Sequence, residues 1–440
     1  MTGTAKFDSA ASEGVPGPRI CNVAVLGFGT VGSSVARIIR ERSGTNLRLT
    51  HVCNRNVARK KVDWLSSDVV WTENFDDILS SNADIVVEVM GGLQPTEDWI
   101  RRALTAGKSV VTANKQLISR CGAELIDLAR RNGQEIAFGA SVAGGVPVIS
   151  GLHDGLAGDD LFKICGILNG TCNYILSQIE SNGVSFATAL REAQKLGFAE
   201  ADPTEDVDGL DARAKLAILA RVGLHCAVEP EAIQCRSITP IDSVDFEYAN
   251  RLGCTIRQIS LAELKGDQLF AAVQPALVEL NSPLASVEGS QNLVMSTGTY
   301  GGETVFGGHG AGGHPTAVAV VSDILAIARA KQAGVSSAGT TPKSPAITAD
   351  FTTKHYLRFI VKDRPGIIAS LAAILSHCGI NIDAVLQKPG CPKSHLPFLI
   401  TLEECKASLV DQALKQIDAL DFMVQPCLHL PILAGELHAK

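Results

Sequence analysis

The chain of 440 residues carries no surplus of positive charge: 39 lysines and arginines face 46 acidic residues, a net charge of −7. Without a basic excess to neutralise phosphates, nucleic acid is excluded as the main partner. No apolar run is long enough for a bilayer, since the most apolar stretch, 316–330, is short and contains Asp323 and Arg329. No CxxC pair occurs among the twelve cysteines, scattered from Cys21 to Cys427. A disulfide framework is therefore not expected; reduced, cytoplasmic thiols serving mostly as small buried hydrophobes are. The ten histidines form no HxxEH or paired i,i+4 set, which argues against catalytic zinc. Residues 1–18 have no apolar core and carry Asp8 and Glu13, so they resemble neither a secretory signal nor a transit peptide. A disordered tail is expected there.

What is present is an ordinary globular profile, 46% apolar and 19% charged with 41 glycines. At roughly 150 residues per domain it has room for about three domains. Over 19–138, short apolar runs (CNVAVLG, LRLTHVC, ADIVVEV, SVVTAN) alternate with helical patterns, the rhythm of a Rossmann-type α/β domain on a parallel sheet. Residues 139–315 mix strand-like runs such as FKICGIL and AAVQPALV with helices, predicting an α+β substrate domain. A helix over 316–331 is expected to return to the first domain. Residues 332–350, rich in Ser, Thr, Ala, Gly and Pro, read as a linker. Over 351–437 the order β-α-β-β-α-β predicts a ferredoxin-like module, separable because it contributes none of the motifs below.

Gly27, Phe28, Gly29, Thr30, Val31 and Gly32 form a GxGxxG between a predicted strand and a predicted helix. Such glycines allow a tight turn and let a pyrophosphate approach amides at a helix N-terminus. An NAD-preferring site would place an acid at the tip of the second strand. Here the tip reads Cys53, Asn54, Arg55, with Arg59, Lys60 and Lys61 following, which suits the 2′-phosphate of NADP, with NAD as the alternative. Residues 193–215 (AQKLGFAEADPTEDVDGLDARAK) crowd six acids and two lysines around Pro203. By composition alone this is a solvated acidic loop. A helix starting near Asp208, capped by it, would instead put Asp211 and Lys215 on one face at i and i+4. A lysine flanked by carboxylates suits proton exchange in an alcohol/carbonyl interconversion.

The run A-x3-GFAEADP-x2-DV-x-G-x-D-x3-K from Ala193 to Lys215 resembles the signature of homoserine dehydrogenase. VVEVMGG (86–92), GKSVVTANK (107–115), ASVAGGVP (140–147), GILNGTCNYIL (166–176) and GAGGHPTAVAVVSDI (310–324) resemble that family's other blocks, in order. Asp363-Arg364-Pro365-Gly366 after the first strand of the last module resembles an ACT domain. The resemblance implies a monofunctional, NAD(P)-dependent enzyme interconverting L-homoserine and L-aspartate 4-semialdehyde in threonine, methionine and isoleucine biosynthesis, without an aspartokinase segment. It assigns proton exchange to Lys215, substrate holding to Glu200, Asp206 and Asp211, and places Thr171 and Gly197 close to substrate. Lys115 would stand beside the nicotinamide ribose and the reacting centre, and Gly91 and Gly312 would let the cofactor approach backbone. The carbonyls of Gly139, Val142, Gly144 and Val146 match a monovalent cation site, usually sodium, although the family often has Glu where Gly139 stands. L-Threonine is the expected ACT effector, though Thr401-Leu402 stands where related sequences often have Thr-His. A homo-oligomer, dimer or tetramer, is also implied.

Two rivals differ in chemistry. A phosphorylating semialdehyde dehydrogenase of the same fold would need a nucleophilic cysteine, but Cys165 and Cys172 lack sequence partners to lower their pKa values. A non-catalytic amino-acid sensor would have no use for Glu200, Asp211, Lys115 and Lys215 together. His309 and His314, in a Gly-rich loop, are expected to be solvated.

Overall fold

The computed structural model describes residues 20–333 and 342–433. The expected tail at 1–18, part of the expected linker and the last residues of the C-terminal module lie outside these ranges. The first unit runs β1 (Cys21–Leu26), α1 (Thr30–Glu41), β2 (Leu47–Cys53), α2 (Val57–Lys60), β3 (Val70–Thr72), α3 (Phe75–Ser80), β4 (Ile85–Glu88), α4 (Thr96–Thr105), β5 (Ser109–Thr112), α5 (Lys115–Arg131) and β6 (Ile136–Ala137). Its six strands are parallel in the order β3-β2-β1-β4-β5-β6. Central strands covered by helices on both faces are apolar in their middles, and β4 and β5, with Ile85–Val87 and Val110–Val111, are buried at every position. The strand order reverses between β1 and β4, which opens a ligand crevice at their carboxyl ends. There Gly32 is obligatory, because a Cβ on it would lie 2.0 Å from the carbonyl oxygen of Gly27.

The second unit contains α6 (Val148–Ser150), β7 (Leu161–Ile167), α7 (Gly170–Asn182), α8 (Phe186–Lys195), α9 (Thr204–Val207), α10 (Leu210–Gly223), β8 (Gln234–Cys235), α11 (Ser243–Arg251), β9 (Cys254–Lys265), β10 (Gln268–Glu279), β11 (Gln291–Gly298) and β12 (Gly302–His309). The long β9–β10 hairpin closes through Gly266-Asp267, with Gly266 at φ +60°. α10 is buried against this sheet through Ala212, Leu216 and Leu219. The chain then returns to the first unit through α12 (Gly313–Ala333). Val320, Val321, Ile324 and Ile327 pack there with Val35 and Ile39 of α1, as helical periodicity predicts.

The third unit runs β13 (Ala346–Thr348), β14 (Thr352–Val361), α13 (Ile367–His377), β15 (Ile382–Gln387), β16 (Leu396–Lys406), α14 (Ala407–Ile417) and β17 (Leu428–Leu433). The order β17-β14-β16-β15 is ferredoxin-like. Here the expectation of a separable module behind a linker is corrected. β17 pairs in parallel with β10 (Leu277 with Ile432, Val278 with Leu433), so the substrate unit and the module share one sheet of eleven strands. The described end of the expected linker is fastened, since β13 pairs with Gln268–Phe270 of β10. The interface is also apolar: Tyr356, Leu399, Leu428 and Leu430 enter one core with Ile256, Leu277 and Ile175. Within it the fully buried carboxylate of Asp245 accepts from Tyr356 Oη and Arg358 Nε, both at 2.7 Å.

Candidate active site

Lys115 begins α5 directly after the carboxyl end of β5, which puts it on the rim of the crevice. Asn114 caps that helix by accepting from Leu117 N–H. From the other side, α10 carries Asp211 in its first turn and Lys215 one turn on. The expected cap at Asp208 is not formed. Asp208 ends α9, and α10 starts from Gly209 at φ +80°, a left-handed conformation that a side chain would strain.

One carboxylate joins the two elements. Asp211 is 5% exposed; Oδ1 accepts from Lys115 Nζ, and Oδ2 accepts from Lys215 Nζ at 2.7 Å and from Asn169 Nδ2 at 2.9 Å. Burial pushes the Asp211 carboxyl up, but Lys215 and Lys115 outweigh it and hold the group well below the usual carboxylate range. Burial lowers Lys115, yet attraction to Asp211 more than reverses this and leaves it above an ordinary lysine. Lys215 also donates to Leu168 O at 2.7 Å. An ammonium has three N–H groups, so among the described residues one N–H of Lys215 is left for a substrate.

Asn169 is the residue that sequence reasoning missed. It caps α7, accepting from Cys172 N–H, and spends both amide hydrogens on Asp206 Oδ1 (2.7 Å) and Asp211 Oδ2. Its only local signal was an Asn ahead of a helix. Asp206, half-buried, is pushed above the usual carboxylate range by burial and by the Asp211 charge, against the pull of Asn169. Thr171 Oγ1 donates to Phe198 O at 2.7 Å, tying α7 to the loop around Gly197, which has φ +79°. Glu200 stays outside this hydrogen-bonded set: it is exposed, and its carbonyl accepts from Gln194 Nε2.

The crevice presents the N-terminus of α1 without a side-chain cap, and Gly29 faces open space. Thr30 is exposed and Val31 half-buried. A Cβ on Gly313 would lie 2.7 Å from Thr30 Cγ2, so the start of α12, with Gly312 at φ +116°, closes on the same turn. Phe28 offers a ligand neither side chain nor amide: the ring packs on Trp64 and Trp71, and its N–H donates to Asn54 Oδ1 at 2.9 Å. Gly91 (φ +74°) and Met90 are held by buried Glu88, whose Oε1 accepts both of their amides. Burial raises Glu88 despite these donors. A charged residue closing the apolar strand IVVE was the signal for it. Arg55, Arg59, Lys60 and Lys61 are all exposed after β2.

The loop carrying Gly139, Val142, Gly144 and Val146 is largely buried, with Ala143 and Gly144 both at positive φ. Among the described residues the Val142 and Gly144 carbonyls accept no hydrogen bond, whereas that of Val146 takes Val148 N–H. Gly139 N–H donates to Asp323, whose carboxyl burial pushes up to about 6. Burial drives the Cys165 thiol up to about 12 and Cys172 well above the usual thiol range, so neither is an activated nucleophile. His309 and His314 are exposed.

Comparison with known proteins agrees along the chain. The family model for homoserine dehydrogenase matches residues 147–325, the one for the homoserine dehydrogenase NAD-binding domain matches 27–139, and that for the ACT domain matches 355–422. The chain is 38% identical to the homoserine dehydrogenase of Bacillus subtilis, covering 83% of this chain and 87% of that one. The crystal structure of a homoserine dehydrogenase from Thiobacillus denitrificans is similar at a TM-score of 0.87 and 31% identity, over 94% of this chain and 98% of that one. A hyperthermophilic archaeal homoserine dehydrogenase solved in complex with NADPH is similar at a TM-score of 0.60 and 29% identity, covering 70% and 97%.

Proposed function

The chain belongs to the homoserine dehydrogenase family, and from that premise we propose how its own residues serve the reaction. The enzyme is an oxidoreductase that interconverts L-homoserine and L-aspartate 4-semialdehyde with a nicotinamide cofactor. The observation that carries our reading is the Lys115–Asp211–Lys215 bridge at the crevice. When bound, the cofactor supplies or accepts hydride at its nicotinamide C4. Lys215 moves the proton: its uncommitted N–H donates to the aldehyde oxygen during reduction, and its neutral form takes the hydroxyl proton during oxidation. Three of the roughly four acceptor sites on Asp211 are spent, so its part is to hold the two lysines in register rather than to grip substrate. Glu200 takes the substrate ammonium, Asp206 lies beside it, and Thr171 and Gly197 border the substrate.

NADP is the preferred form on this reading, because Arg55 follows a strand tip without an acid and a guanidinium can hold a 2′-phosphate bidentately. The free carbonyls of Val142 and Gly144 fit a monovalent cation, with Gly139 and Val146 completing the set and sodium the candidate. L-Threonine binds at the start of α13, where Gly366 (φ +93°) leaves the helix without a side-chain cap. Twelve free cysteines support a reducing cytoplasm. β12, an edge strand with Val305 exposed and preceded by a turn whose Tyr300 is 78% exposed, supports a homo-oligomer. The test is an initial-rate comparison of homoserine oxidation with NAD and NADP. We expect kcat/KM about tenfold or more in favour of NADP; equal values overturn the NADP assignment, and no rate with either overturns the function.

A further inference from the structure

A cavity of about 190 Å³ lies between the substrate unit and the C-terminal module. One wall is Gln234, Arg236 and Gln274, from β8 and β10 with the residue that follows β8; the other is Asp350, between β13 and β14, with Ser408 and Asp411 of α14. It is far from the start of α13, because it opens at the beginning of β14 whereas Asp363–Gly366 follows that strand's end.

The charges in it are arranged and anchored. Arg236 Nη2 donates to both oxygens of Asp411 (3.0 and 3.2 Å), and Nη1 donates to His429 Nδ1 at 2.9 Å. His429 Nε2 in turn donates to His355 Nδ1 at 2.9 Å, and His355 Nε2 donates to Cys405 O at 3.0 Å. This chain of donors is satisfied only with both imidazoles neutral, and it fixes the guanidinium in one orientation. Nε–H and one Nη1–H of Arg236 stay uncommitted among the described residues. Thr353 of β14, on the module side of the cavity, has its Oγ1 buried without a partner among the described residues.

One guanidinium and two carboxylates, Asp411 paired with it and Asp350 accepting from Ser408 N–H at 2.8 Å through one oxygen, leave a mixed-charge site that disfavours a simple anion through Asp350 and Asp411 and a simple cation through Arg236. A molecule bearing both charges a few bonds apart satisfies both sides. The volume lies below the roughly 300 Å³ at which sites for drug-sized ligands begin. We propose that this cavity binds a free L-α-amino acid, its carboxylate on Arg236 and its ammonium on Asp411 and Asp350. Such an occupant would bear on catalysis through a short path. Residues 234–238 are stitched to β10 by Arg236 N–H to Val273 O, and to the turn ahead of α10 by Ile238 N–H to Val207 O (3.0 Å) and Cys235 Sγ to Gly209 O (3.7 Å). Asp211 follows that turn by two residues.

The test is calorimetric titration of the full chain with the standard L-α-amino acids at millimolar concentration, repeated with the N-acetyl derivative of any that binds. Asp411→Asn removes one charge without changing size, and Ala407→Phe fills the cavity from the first residue of α14 while leaving every charge in place. We expect at least one amino acid to bind with one site per chain, and acetylation and Asp411→Asn each to weaken it about tenfold or more. Ala407→Phe should abolish binding, with homoserine turnover in the absence of amino acid unchanged in both variants. Absence of binding by every amino acid tested overturns the proposal, as does binding that either substitution leaves within twofold of wild type.

Discussion

At the scale of single residues, the site is organised around one carboxylate shared by two ammonium groups that arrive from different domains. Lys115 comes from the Rossmann unit and Lys215 from the substrate unit, so Asp211 also aligns the two units at the crevice. The i,i+4 pair Asp211–Lys215 was legible in the sequence because it is local. Lys115 came through family resemblance alone, 96 residues away from its partner. Asn169 was not legible, because its worth lies in reaching Asp206 and Asp211 across 37 and 42 residues. Cofactor choice also belongs to this scale. Arg55→Ala should raise the KM for NADP about tenfold or more while leaving that for NAD within about twofold, since only NADP carries the 2′-phosphate. Steady-state kinetics with both cofactors checks this, and equal effects would remove Arg55 from the role.

Among the elements, β10 is the most heavily used, pairing with β9 along one edge and with β13, β8 and β17 in turn along the other. β9, β11 and β12 and the short β3, β6, β8 and β13 were not readable from apolar runs, whereas the main strands of the Rossmann sheet, β7, β10 and the four strands of the ferredoxin-like module were. Their joining was not, because pairing of Leu277 with Ile432 is set by a tertiary surface with no local signature. β14 and β17 bring His355 and His429 into contact beside this seam. Burial, joined by the neighbouring His429, lowers His355 to about 4, and burial lowers His429 as well. The sign follows from the depressed folded values. Above an unfolded pKa of about 6.5 both rings are neutral in either state and stability is complete. As pH falls towards 4, the unfolded chain takes up protons that the fold refuses, and stability drops by up to about 1.4 kcal/mol per pH unit for each histidine. Urea unfolding between pH 7.5 and 4.5 should show this loss, and His355→Gln should flatten it. An unchanged slope in that variant would mean that other groups set the acid limit.

For the whole molecule, the shared sheet changes what the C-terminal module is. A regulatory domain on a flexible tether can be cut away; this one supplies Tyr356, Leu399, Leu428 and Leu430 to a core built with the substrate unit, and Arg358 to Asp245. Truncation after Gly339 should therefore give an aggregating or strongly destabilised dehydrogenase, because it strips a sheet edge and exposes apolar surface together. Thermal unfolding and size-exclusion of the truncated chain check this, and a monodisperse product with wild-type melting would show the seam to be dispensable. The same continuity gives an occupant of the module a mechanical route to α10.

The central claim is that the lysine at the end of the 193–215 signature carries the proton of the reaction. Its most direct test is the rate of NADPH formation from homoserine by purified Lys215→Ala beside wild type, with NADP binding measured on the same samples. The account predicts turnover reduced about 10²-fold or more while NADP affinity stays within about twofold. Near-normal turnover in a variant that binds NADP normally would contradict it.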